Sequence, residues 1–161
     1  MGYDHKYVYS HFGYNLKATD LQAAVGCAQL EKFPGFVERR RRNFDRLHKA
    51  LSDLSDKLIL PEPCPGSRPS WFGFLITCKE GTDRNRMVSY IEEKGIQTRM
   101  LFAGNLTRHP CFDQMRAQGG GYRVVGDLKT ADRIMRDTFW VGVYPGMTDE
   151  MIDTMAQVIH E

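Results

Sequence analysis

An α/β or α+β sandwich, with helices laid against a small, mostly antiparallel or mixed sheet, is the fold class predicted by the 161-residue sequence. Three observations carry that prediction. The hydrophobic period is helical up to about residue 54 and then switches to short strand-like runs. Proline, glycine and serine break the remainder into segments too short for a long bundle. The elements then read helix, helix, strand, strand, helix, strand, helix, strand, helix.

The first helix starts at Thr19, where Thr19-Asp20-Leu21-Gln22 has the form of a capping box. Leu21, Ala24, Val25 and Ala28 follow at helical spacing, and Pro34-Gly35 is expected to end the run. A second helix is expected from about Phe36 to Leu54, with Val37, Arg40, Phe44, Leu47, Leu51 and Leu54 on its inner face. Arg39 to Arg42 fan around that helix and read as a solvated surface, balanced locally by Glu38 and Asp45. Lys57 to Leu60 is a short strand, 61–69 a loop, and Trp71 to Cys78 a buried strand. Asp83 to Lys94 is an amphipathic helix closed by Gly95, and Ile96 to Phe102 the next strand. Residues 103–123 read as a loop with Gly119-Gly120-Gly121 at a flexible tip. A short helix over Thr130 to Asp137, a strand over Thr138 to Val143 and a last helix capped by Thr148 complete the chain.

Composition narrows the function classes. With 42% hydrophobic and 26% charged residues the chain is an ordinary globular protein, not a disordered or collagen-like one. A domain of this length buries roughly 70% of the surface its unfolded chain exposes. Twenty-two basic against 20 acidic residues give a net charge of +2, which argues against a nucleic-acid partner. There is no apolar run of membrane-spanning length and no apolar signal core after Met1. Cys27, Cys64, Cys78 and Cys111 form no C-x-x-C pair, so reduced thiols in a cytoplasmic protein, with no metal site, are expected.

Individual residues carry no catalytic signature: no G-x-S-x-G, Walker loop, H-E-x-x-H or G-x-G-x-x-G is present. His11 and His109 are the histidines with polar or aromatic neighbours that suit a base, yet neither is paired with a nucleophile. Arg99, Arg108, Arg123 and Arg133 sit at strand or loop ends, where a guanidinium can clamp an anion.

Longer strings say more. His11-Phe12-Gly13-Tyr14-Asn15-Leu16-Lys17-Ala18-Thr19-Asp20-Leu21-Gln22-Ala23-Ala24-Val25-Gly26 resembles the G-Y-N-x-[RK]-x-[ST]-[DE]-x-Q-A-A-x-G signature of the DegT/DnrJ/EryC/StrS family. Val143-Tyr144-Pro145-Gly146-Met147-Thr148 is similar to that family's C-terminal segment. Gly2-Tyr3-Asp4-His5-Lys6-Tyr7, Ser70-Trp71-Phe72-Gly73-Phe74 and Thr98-Arg99-Met100-Leu101-Phe102-Ala103-Gly104-Asn105-Leu106-Thr107-Arg108 resemble its CDP-4-keto-6-deoxyglucose 3-dehydrase branch, of lipopolysaccharide O-antigen and dideoxysugar synthesis.

The resemblance implies the small C-terminal domain of the aspartate-aminotransferase fold over residues 19–161. It implies that segment 1–18 is extended and packs on a large domain or a dimer partner. A pyridoxamine 5′-phosphate or pyridoxal 5′-phosphate cofactor, a CDP-hexulose substrate, a homodimer and a flavin iron–sulfur reductase partner come with it. The catalytic base and the cysteines of a [2Fe–2S] cluster are expected upstream, so no catalytic residue is assigned here and the chain alone is expected to be inactive. Asn15 matches the position that touches cofactor phosphate, whereas Phe72, Arg133, Arg99 and Asn105 are candidates for the substrate side. A pyridoxal-dependent sugar aminotransferase and a stand-alone dimerisation or binding module remain the alternatives.

Overall fold

The computed structural model describes residues 11, 13, 14 and 16–161. Most of segment 1–18, with Asn15 in it, therefore lies outside the described residues. The chain divides into two compact units, Met1–Pro34 and Gly35–Glu161.

Helix α1 runs without a break over Asp20–Ala50, with Pro34 inside it. The capping box forms as expected. Thr19 N donates to Gln22 Oε1 at 2.9 Å, and Gln22 N donates to Thr19 Oγ1 at 3.3 Å. Pro34–Gly35 was expected to split this element and does not. A proline removes one main-chain donor and crowds one carbonyl, a cost of about 3 kcal/mol. Good helix formers flank it on both sides, from Ala28 to Lys32 and from Glu38 to Arg42, and their propagated hydrogen bonds carry the helix across. The unit boundary nevertheless falls at this same pair of residues. The helix also ends earlier than expected, at Ala50, and a 3-10 turn takes over at Ser52–Leu54.

In the unit Gly35–Glu161 four strands form one antiparallel sheet in the order β1-β2-β4-β3. They are β1 Leu58–Ile59, β2 Gly73–Cys78, β3 Thr98–Met100 and β4 Thr138–Gly142. Alternation decides the two faces. Phe74, Ile76 and Cys78 of β2, with Phe139 and Val141 of β4, are buried on one side. Phe44, Leu47 and Leu51 of α1 join them in the core, with Val88 and Ile91 of α2 (Arg84–Glu93) and Ile152, Met155 and Ile159 of α5 (Asp149–His160). The other face carries Leu75, Thr77, Thr138 and Trp140, with Thr77 and Thr138 hydroxyls 2.9 Å apart across the β2–β4 pair. Burial pushes the Cys78 thiol up to about 11, which keeps it protonated and inert as a nucleophile at neutral pH.

The cap expected at Thr148 forms, and Asp83, expected as the first residue of its helix, is the cap. Asp83 caps α2 by accepting from Asn85 N and Arg86 N, and Thr148 caps α5 through Met151 N. The stretch 103–123, expected as a loop, instead holds two 3-10 turns, Leu106–Arg108 and Pro110–Phe112, and helix α3, Asp113–Gln118. Gly119 is the left-handed C-cap of α3 at φ 65°, and Gly119 and Gly120 N–H groups return to the Arg116 and Met115 carbonyls. These glycines close a helix, so the flexible tip expected there is replaced by a capping motif. Helix α4, Lys129–Asp137, runs directly into β4.

The arginine run also differs from expectation. Its partners are on α5 and in the 68–69 loop, not the local Glu38 and Asp45. Arg42 bonds Asp149 at 3.0 Å, while Arg41 donates to the Pro69 and Arg68 carbonyls. Arg46 forks onto Asp153 at 2.8 and 2.7 Å and reaches Asp149 at 3.1 Å. Because α1 and α5 lie side by side here, carboxylates 107 residues away in sequence become neighbours. These exposed pairs orient the two helices more than they stabilise them.

Candidate functional site

The face opposite the core is where exposed chemistry gathers. Phe72 directly precedes β2, and its carbonyl accepts Val143 N–H at 2.7 Å, which ties it to the end of β4. Its ring is 61% exposed and meets Trp140 edge-on, 5.5 Å between centroids at 84°. Trp140 lies flat over Gly73, where a Cβ would come within 2.7 Å of the indole; only glycine lets the ring settle there. Its Nε1–H donates to the Met100 carbonyl at 3.1 Å. Arg99 pairs with Trp140 in the β3–β4 register, which places both on this face. Arg99 is exposed and has no hydrogen-bond or ion-pair partner among the described residues. An aromatic floor with a free guanidinium beside it can hold an apolar ring face and an anionic group together.

A loop is fastened next to this floor. Gly104, at φ 59°, presses against Met135 of α4. Asn105 is 3% exposed; its Oδ1 accepts from Thr107 N at 3.2 Å and Thr107 Oγ1 at 2.7 Å, and its Nδ2 donates to Asp132 Oδ1 at 2.6 Å. Arg108 completes the tie with a two-pronged bond to Asp132, at 3.1 and 2.8 Å. His109 donates from Nε2 to the Ala103 carbonyl at 2.7 Å, so that nitrogen closes the loop on itself. The bonds from Arg108 and then Asn105 hold the Asp132 carboxyl down at about 2, below its ordinary 3.8.

A depressed carboxylate adds stability above its ordinary value and loses it as pH falls through its folded value. The Asp132 tie is therefore complete above about pH 4 and gone near pH 2. Asp132→Asn should lower the thermal midpoint at pH 7, and the gap to wild type should close between pH 4 and 2. A gap that stays constant across that range would show that the carboxylate charge does not hold this loop.

The residues expected at the substrate are thus not gathered in one place. Phe72 and Arg99 share the Trp140 face. Asn105 has its amide committed to Thr107 and Asp132 and positions the loop. Arg133, on α4, is exposed and lines a different groove, about 490 Å³, with Lys79, Thr82 and Arg136 past the far end of β2. The ends of that strand are about 20 Å apart. Asn15 lies outside the described residues. Trp140 was not singled out from sequence, although it is a large aromatic on the opposite parity from buried Phe139 and Val141.

Among the described residues, no group of three or more His, Cys, Asp or Glu side chains could hold a metal ion. No helix among them is long and apolar enough to cross a membrane. Arg99 also lines an open concavity with Glu92, Gln97 and Thr98.

The chain is 52% identical to the lipopolysaccharide biosynthesis protein RfbH of Salmonella typhimurium, over 99% of this chain and 36% of that protein. It is 51% identical to the dTDP-4-dehydro-2,6-dideoxy-D-glucose 3-dehydratase of Saccharopolyspora spinosa, over 99% of this chain and 34% of that protein. The chain thus spans about a third of the length of these relatives. Its fold matches that of the E. coli GDP-4-keto-6-deoxy-D-mannose-3-dehydratase solved with bound hydrated PLP, with a TM-score of 0.78 at 24% identity, over 95% of this chain and 38% of that one. The family model for the DegT/DnrJ/EryC1/StrS aminotransferases matches residues 1–160, and the chain belongs to that family.

Proposed function

We propose that this chain supplies the substrate-facing small-domain wall of a sugar-nucleotide 3-dehydratase acting on a CDP-4-keto-6-deoxyhexose in dideoxysugar and lipopolysaccharide synthesis. The observation that carries the reading is the identity above 50% along almost the entire chain to RfbH and to a 3-dehydratase. The exposed Phe72–Trp140 pair, with Arg99 unpaired beside it, supports a surface for a ring and an anion.

When bound, pyridoxamine phosphate supplies an amine for the substrate ketone and a ring that acts as electron sink. This chain's residues do something narrower. Phe72 and Trp140 exclude water from one side of the hexose, and Arg99 takes a diphosphate oxygen. The Asn105–Asp132–Arg108 tie keeps the 101–108 loop at the rim. Asn15 remains assigned to the cofactor phosphate and Arg133 to an anionic group of substrate or cofactor. The base, the iron–sulfur ligands and the surface for a flavin iron–sulfur reductase are assigned to residues beyond these 161, and the working unit to a homodimer. Turnover by the chain alone is therefore not expected.

Titration calorimetry of the purified chain with CDP-glucose tests the reading. Saturable binding should weaken about tenfold in Phe72→Ala and in Arg99→Ala, the scale of one stacked ring or one charge-assisted contact. Binding that ignores both substitutions would remove this face from the substrate site. Product formation from a CDP-4-keto-6-deoxyhexose by the chain alone would overturn the assignment of the chemistry to other residues.

A further inference from the structure

Two residues other than glycine among the described residues have left-handed backbone: Phe102 at φ 49° and Leu128 at φ 53°. For a bulky side chain this conformation costs free energy, and it persists where something else repays it. Leu128 is half-buried and caps α4, its carbonyl accepting Asp132 N–H at 2.9 Å, so starting that helix accounts for it. Phe102 is different. Its side chain is 75% exposed, and so its own chain gives the ring little in return.

Position adds the second clue. The Met100 carbonyl that accepts Trp140 Nε1–H at 3.1 Å also accepts Phe102 N–H, at 2.6 Å. One oxygen therefore locks the strained residue to the indole of the aromatic floor. Two residues on, Gly104 meets Met135, so the turn is held at both ends. Phe102 thereby sits in a backbone-tied turn two residues after β3, the strand that carries Arg99, with its N–H on the same oxygen as the Trp140 indole.

We propose that Phe102 is a ligand-contact residue, a stacking platform for the nucleobase of a nucleoside diphosphate sugar. The assignment rests on reading the Phe72–Trp140 face as the sugar-nucleotide surface. A flat apolar ring without a polar handle suits the π-face of a base. Arg99, three residues earlier, meets the diphosphate that separates base from sugar. Backbone strain at Phe102 is then the cost of holding an exposed ring ready before ligand arrives.

Calorimetry with CDP-glucose on wild type, Phe102→Tyr, Phe102→Ala and Phe102→Gly, paired with thermal melts, separates the roles. Stacking on one aromatic ring accounts for roughly ten- to hundredfold in affinity. Phe102→Ala and Phe102→Gly should each lose that much, and Phe102→Tyr should keep it. Phe102→Gly should melt about 2–4 °C above Phe102→Ala, because only glycine relieves the left-handed backbone. Unchanged affinity in both truncations, with Phe72→Ala and Arg99→Ala still weakened, overturns the role of Phe102 and leaves the face intact. Failure of wild type to bind CDP-glucose overturns both.

Discussion

Phe74→Ala should cost about 3–5 kcal/mol of unfolding free energy, the range for emptying a phenylalanine site in a close-packed core. Phe74 is fully buried in β2, a strand with neighbours on both sides, and it faces Val141 in the β2–β4 register. Its ring sits 4.8 Å from that of Phe44, which in turn lies 4.9 Å from Trp71. The loss thus includes transfer free energy, a cavity and an aromatic contact. Phe74 packs among other fully buried side chains of sheet and helix, Ile76, Leu47 and Leu51 among them, so little can collapse to fill the space. Phe74→Leu keeps most of the volume and should cost no more than about 1.5 kcal/mol. Urea unfolding with an unchanged m-value is the measurement. A loss under about 1 kcal/mol for the alanine variant would mean that this face is not the core. Phe72, two residues earlier, gives the contrasting control: Phe72→Ala should leave stability nearly unchanged while weakening CDP-glucose binding.

That contrast shows what the sequence could disclose. Alternation along 71–76 does not decide the face of Phe72, because the strand begins only at Gly73 and its register is set by β4, some 65 residues on. Caps were legible since their chemistry is local: Thr19 with Gln22, Asp83 and Thr148 each satisfy donors within three residues. Pro34–Gly35 misled for the opposite reason, since a breaker is a local penalty and the helix around it is a collective gain. Arg42 and Arg46 could not be paired with Asp149 and Asp153 before the fold was known. The candidate site divides along the same line. Asn105 was visible as a polar residue in a telling string, but its commitment to Asp132 depends on α4 docking. Phe102 gave no sign in sequence, since the sign of φ is not written in a side chain.

Gly104→Ala should be among the most disruptive single-methyl additions available to this chain. The new Cβ would fall 2.4 Å from Met135 Cβ and 2.8 Å from its Cα, at a backbone φ of 59°. Met135 cannot swing away from a contact made by its own Cα, so either α4 or the 101–108 loop must move. Overpacking and left-handed strain together should cost about 2–4 kcal/mol. Gly126→Ala isolates the strain, because Gly126 has φ 78° and nothing within 4 Å of its Cβ position. It should cost only about 1 kcal/mol. The difference between the two variants is then the price of the close approach. Moving the loop would also part Asn105 and Arg108 from Asp132, since both follow Gly104 in the same loop and Asp132 stands on α4 with Met135. Gly104→Ala should accordingly flatten the pH 4 to 2 dependence that Asp132 confers, and Gly126→Ala should preserve it. Equal stability losses in the two variants, with the pH dependence kept in both, would mean that the loop is not clamped against α4 at Gly104. The aromatic floor would then lack the rigid rim on which its substrate role depends.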